Sequence, residues 1–129
     1  RFEVKNCCTF ELGRDARGEP GQGIDSTIYN VTGSDYTLSI VFGPYDGGQP
    51  MSGYRRIDDR IVDGVKLTLF QWTEQGTKPP EGRMLWLAKV GGGQIDGVIH
   101  SPWGLRIMSD CETSAACRSA TTFVETIRF

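Results

Sequence analysis

The chain has 129 residues, 38% of them hydrophobic and 23% charged, and a formal net charge of −2 at pH 7. That length and balance suit a single globular domain, residues 1–129, able to bury its own core. The slight acidity argues against nucleic acid or an anionic membrane surface as a partner. No apolar run approaches the roughly 18 residues needed to span a bilayer.

Residues 2–12 alternate, with Phe2, Val4, Asn6, Cys8, Phe10 and Leu12 on one face, and read as a strand with one wet face. Cys8 then points inward and Cys7 outward. Three arrangements fit this adjacent pair: a vicinal disulfide, two thiols, or bridges to the C-terminal cysteines. Residues 13–26 are glycine-rich and charged, without period, and are expected to form a loop. A short strand is expected over Thr27–Val31, where Asn30-Val31-Thr32 also matches a glycosylation acceptor that matters only in a eukaryotic secretory pathway. Tyr36–Phe42 alternates again and predicts a central strand. The following loop carries Tyr45 and Met51, placed either at a binding edge or folded back on the core.

Tyr54–Val62 and Val65–Trp72 flank Asp63-Gly64, a strong hairpin signal, because both central residues of a type I′ turn need positive φ. Residues 71–82, with Gly76 and Pro79-Pro80, read as a loop. Met84–Val90 is apolar on both faces, which suits a strand inside a sheet covered on both sides. Gly91-Gly92-Gly93 ends it. Val98–Ser101 and Leu105–Met108 around Pro102-Trp103-Gly104 suggest a second hairpin. The last element is a helix over about Ser114–Thr126, with Ala116, Ala120, Phe123 and Ile127 as its apolar stripe. Ile127-Arg128-Phe129 is expected to return as a short edge strand. The sum is an α+β domain: a mostly antiparallel sheet of about seven or eight short strands built from hairpins, with one C-terminal helix packed on it.

Four cysteines and a start at Arg1 instead of Met fit export to an oxidising compartment, periplasmic or secreted, after removal of a signal segment; trimming would explain the start equally well. Cys111 and Cys117 are the expected disulfide. On one continuous helix their Cα atoms would lie about 9 Å apart, out of reach. If they pair, the helix must begin between them, with Thr113 or Ser114 as N-cap.

Catalytic motifs are not evident. His100, the one histidine, would have to be the base of any Ser/His/Asp site, but no Gly-x-Ser-x-Gly elbow accompanies it, and it reads as a surface or hairpin residue. Asp58, Asp59 and Asp63 are interleaved with Arg55, Arg56 and Arg60, which favours ionised, solvated pairs over a glycosidase acid. Neither metal-ligand spacing nor a cofactor motif is present. Gly91-Gly92-Gly93-Gln94 lacks the Lys-Ser/Thr of a phosphate-binding loop.

Tyr36–Phe42 with Gly43-Pro44-Tyr45, the Asp-Gly hairpin, and the ending Cys111…Cys117…Phe123-Val124…Ile127-Arg128-Phe129 together resemble small exported bacterial domains of unassigned role. Some of these are similar to the Mog1/PsbP-like group, an antiparallel sheet with a helix near the end packed on it. The resemblance covers about two thirds of the chain and transfers no functional residue. It implies a non-enzymatic role, as a periplasmic accessory or an immunity-type binding protein.

The expectation is an exported, disulfide-bearing, non-catalytic domain that binds another protein through loops or a sheet edge, with Tyr45, Trp72, Trp103, Arg55 and Arg56 as its surface. The alternatives are a small-molecule binder with an apolar pocket between sheet and helix, and a hydrolase using His100.

Overall fold

In the computed structural model, residues 1–21, 26–44, 50, 53–72, 82–91 and 93–129 are described, with only the backbone of 82, 93–95, 99 and 100. They form β1 (Phe2–Val4), β2 (Cys8–Phe10), β3 (Arg17–Pro20), β4 (Thr27–Thr32), β5 (Thr37–Gly43), β6 (Tyr54–Val62), β7 (Val65–Trp72), β8 (Gly82–Val90), β9 (Gly93–Ile95), β10 (Val98–His100), β11 (Trp103–Cys111) and α1 (Ser114–Glu125). The main sheet has seven antiparallel strands in the order β3-β4-β5-β11-β8-β7-β6. Two meanders, β3-β4-β5 and β6-β7-β8, are thus joined by the last strand of the chain, which inserts between them. The architecture is the expected α+β one, with a single C-terminal helix on a largely antiparallel sheet.

The register explains the core. Ile107 of β11 lies between Ile40 and Trp86, Leu105 between Phe42 and Ala88, and Ser109 between Leu38 and Met84. Residues directly opposite one another share a face, so these rows point together toward α1. Phe10, Leu105, Ile107, Val124 and Ile127 are each at most 1% exposed. Ser109 is admitted to this layer because its hydroxyl donates to the Thr37 carbonyl at 2.7 Å, which satisfies a polar group that would otherwise be costly to bury. Strand β8 is apolar on both faces, as its sequence suggests. Met84, Trp86 and Ala88 point to the α1 side and Leu85 and Leu87 to the other, all buried.

The N-terminal segment differs from expectation. Residues 2–12 do not form one strand but a hairpin, β1 with β2, turning at residues 5–7, where Asn6 takes φ 65°. Phe2 pairs with Phe10 and Val4 with Cys8, so the residues assigned to one face do share it. A turn between matched partners preserves the parity of the alternation, which is why the pattern alone looks continuous. Cys7 and Cys8 are bonded to each other, with Cα atoms 3.7 Å apart.

Residues 13–26 are not all loop: β3 forms the sheet's outer edge. Its burial pattern is almost wholly open, and Gly18 lies directly beneath the Phe2 ring, where a Cβ would collide. A strand that buries almost nothing leaves no apolar period to read. The expected hairpin around Pro102-Trp103-Gly104 is also corrected. Strand β10 pairs with β9 through Asp96-Gly97, at φ 50° and 79°, and Trp103 opens β11. The Asp63-Gly64 hairpin forms as expected, with φ 49° and 82°.

Cys111 and Cys117 are bonded, with Cα atoms 5.2 Å apart. The helix begins between them at Ser114. Thr113 is the N-cap, its hydroxyl accepting from the Ala116 N–H at 3.1 Å. The α1 stripe of Ala116, Cys117, Ala120, Phe123 and Val124 is buried on the sheet. Beyond the helix, Arg128 exchanges two backbone hydrogen bonds with Thr9, a one-residue return beside β2. Among the described residues no helix is long and apolar enough to cross a membrane.

Candidate functional site

Two surfaces stand out. The first is the free side of β6. Among the described residues this strand ends the sheet and pairs on one side only, with β7. All residues from Arg55 to Ile61 are exposed. Four large hydrophobic side chains are exposed among the described residues, and two of them, Ile57 at 44% and Ile61 at 70%, lie on this strand. The register with β7 slips between Arg56 and Asp58, leaving Ile57 as the extra residue of a β-bulge. Arg55, Asp58 and Arg60 lie opposite Gln71, Leu69 and Leu67 on the α1 side, while Tyr54, Arg56, Asp59 and Ile61 lie opposite Trp72, Phe70, Thr68 and Lys66 on the other.

Charges are distributed unevenly along this edge. Asp59 forms ion pairs with both Arg56 at 3.4 Å and Lys66 at 3.7 Å, and Arg60 reaches Glu125 of α1 at 3.4 Å. Exposed pairs of this kind each contribute under about 1 kcal/mol, so they orient side chains more than they stabilise the sheet. Among the described residues Arg55 and Asp58 make no ion pair. The edge therefore offers two exposed isoleucines, one unpaired cation and one unpaired anion beside a row of free backbone groups.

The second surface is an open groove of about 630 Å³ on the far side of α1. Three segments distant in sequence line it: residues 13–16 between β2 and β3, residues 33–36 in the β4–β5 turn, and Ala115, Arg118, Ser119 and Thr122 of α1. The helix residues are spaced i, i+3, i+4, i+7 and form the row opposite the buried stripe. Ser119 donates to Asp35 Oδ2 at 3.1 Å, tying the turn to the helix. The Gly33 N–H donates to the Tyr36 carbonyl at 2.8 Å and closes the turn. Tyr36 is half-buried, 6.3 Å from the Phe123 ring. Burial, and secondarily the Asp35 charge, raises its pKa above the ordinary phenol value, so the phenol is a neutral donor at physiological pH.

The residues singled out in the sequence do not converge on one site. Arg55 and Arg56 both lie on β6, on opposite faces. Trp72 is half-buried on the sheet face away from α1, its ring edge-on to Tyr54 at 5.0 Å. The same cluster holds Arg83, whose Nε donates to Asp110 at 2.7 Å; hydrogen bonds to Asp110 and Tyr54 raise the guanidinium pKa. Trp103 lies on the α1 side near the opposite end of the sheet, 43% exposed and 5.5 Å from Phe42. Tyr45 and Met51 lie outside the described residues, as does the side chain of His100, whose backbone pairs with Gly93 in β10. Among the described residues no group of three or more His, Cys, Asp or Glu is placed to hold a metal. Between sheet and helix, Ile40, Leu105, Ile107, Phe123 and Val124 belong to one buried core cluster.

Sequence reasoning missed the groove, although the polar residues Arg118, Ser119 and Thr122 beside Ala115 on an amphipathic helix are a visible signal. Comparison with known proteins gave no match: no family model, no curated protein and no solved structure aligns significantly with the chain.

Proposed function

We propose that the protein is an exported, non-catalytic binding domain, of accessory or immunity type, that recognises another protein by strand addition at the free edge of β6. The observation that carries this reading is the edge itself. Among the described residues the nine-residue strand is unpaired on one side, and seven successive side chains are exposed, with Ile57 and Ile61 among them. Natural edges are usually short, covered, charged or bulged, because free N–H and C=O groups invite pairing, and β6 carries charges and a bulge but is nine residues long. Here the bulge and the charges restrict which strand can fit, and the isoleucines give a fitting one apolar contact. Main-chain bonds would supply affinity, while Arg55, Asp58, Ile57 and Ile61 would supply selectivity.

Export is supported by the cysteines: all four are engaged in two disulfides, a state that persists in the periplasm or outside the cell and not in a reducing cytosol.

A photo-crosslinking amino acid placed at Ile61 in the full chain, expressed in its host, is expected to give a discrete adduct with one envelope or extracellular protein. The same group at Glu19, on the opposite sheet edge, is expected to give none. Adducts from Glu19 with none from Ile61 would overturn the assignment of the edge, and the absence of any adduct from either would overturn the binding role.

A further inference from the structure

We infer that the groove formed by residues 13–16, the β4–β5 turn and the outer row of α1 binds a small zwitterion of amino-acid or dipeptide size. This goes beyond the β6 reading and is independent of it, since the groove shares no residue with that strand. The groove is assembled from three segments that nothing in the local sequence obliges to meet, and it is held in shape. The Ala16 N–H donates to the Gly13 carbonyl at 3.2 Å, the Gly33–Tyr36 bond closes the second wall, and Ser119 fixes Asp35 against the helix. Its volume of about 630 Å³ lies within the range of small-molecule sites.

The charges on its walls define the ligand. Among the described residues Arg14 and Arg118 make no ion pair, as is also true of Arg17 and Arg55, whereas Arg1, Arg56, Arg60, Arg83 and Arg128 each pair with a carboxylate. Among the described residues Asp15 also has no ion-pair or hydrogen-bond partner, and Asp35 accepts from the Ser119 hydroxyl alone. A simple anion entering the groove would find two guanidiniums but also two carboxylates, and a simple cation would meet the converse. A ligand carrying both signs a few ångströms apart can satisfy both sets at once. Its carboxylate would accept from Arg14 and Arg118, and its ammonium would donate to Asp15 and Asp35. Charge-assisted bonds of this kind are the strong ones. The Tyr36 phenol, kept protonated, adds a neutral donor at the wall.

The test is an amide-resolved NMR titration of the full chain with the common amino acids, with glycylglycine and with inorganic phosphate. For the best ligand, its N-acetyl and C-terminal amide forms follow. A saturable response is expected from at least one zwitterion, with shifts at Gly33, Asp35, Arg118 and Ser119. Each capped form is expected to bind at least about tenfold more weakly, as is the ligand to Arg118→Gln. Arg17→Gln, outside the groove, is expected to leave the affinity unchanged, and an unaltered melting temperature shows that both variants fold. The proposal is overturned if no zwitterion saturates the response below about 10 mM. It is overturned equally if phosphate or a capped form binds as tightly, or if the shifts lie away from these residues.

Discussion

Replacing Phe123 with alanine is expected to destabilise the protein by about 3–5 kcal/mol, the largest effect of any single substitution considered for this chain. Phe123 is 4% exposed, and its ring is stacked on Phe10 with centroids 5.0 Å apart and planes 10° apart. It also touches the Tyr36 region that begins β5. One side chain therefore joins α1, the β1–β2 hairpin and the β4–β5 turn, and removing it leaves a cavity at their meeting point. Urea unfolding followed by tryptophan fluorescence measures the loss. Phe123→Leu, which refills most of the volume, is expected to recover more than half of it. A loss below about 1 kcal/mol for the alanine variant would mean that the three elements do not depend on this contact.

The second large effect belongs to the Cys111–Cys117 bridge. Converting both cysteines to alanine is expected to cost about 2–2.5 kcal/mol from the freed loop of the unfolded chain. Both sulfurs lie in the core, with Cys111 3% and Cys117 0% exposed, so lost packing adds to that figure. The bridge also sits across the start of α1, beside the Thr113 cap, so its removal is expected to fray the first helical turn before the last. Amide exchange should show faster opening at Ala116 and Cys117→Ala than at Phe123. Removing the Cys7–Cys8 bond closes off no intervening chain and is expected to cost less. A larger loss from Cys7–Cys8 than from Cys111–Cys117 would contradict this ordering.

Particular residues show why parts of this fold are legible in sequence and others are not. Asp63-Gly64 announces its hairpin because the dipeptide supplies positive φ at both turn positions and is flanked by strand-like runs. Asp96-Gly97 is the same signal, but the strands it joins have three residues each, too few to show a period. The neighbouring Pro102-Trp103-Gly104 draws the turn instead. The helix start follows from disulfide reach together with the capping preference of Thr113 or Ser114, and falls at Ser114. Strand β3 leaves no trace because it buries almost nothing. The functional surfaces are harder still to read. Arg55 and Arg56 are conspicuous in sequence, yet nothing local says that β6 is an edge, since that depends on β11 inserting between β5 and β8. The groove depends on three segments brought together by tertiary packing, and only its helical row has a local pattern.

Recognition at the β6 edge makes a specific statement about backbone hydrogen bonds. In a two-residue hairpin the closing pair, here Val62 and Val65, exchanges both bonds with its partner strand. The alternate amides, those of Ile61 and Asp59, then point away from β7 into solvent. In the complex with the partner captured at Ile61, hydrogen exchange should slow at Ile61 and Asp59 by about tenfold or more, while Arg60 and Val62, already bonded to β7, change little. If Ile61 and Asp59 exchange as fast in the complex as in the free protein, the partner does not add a strand to β6, and the account of how this domain binds is wrong.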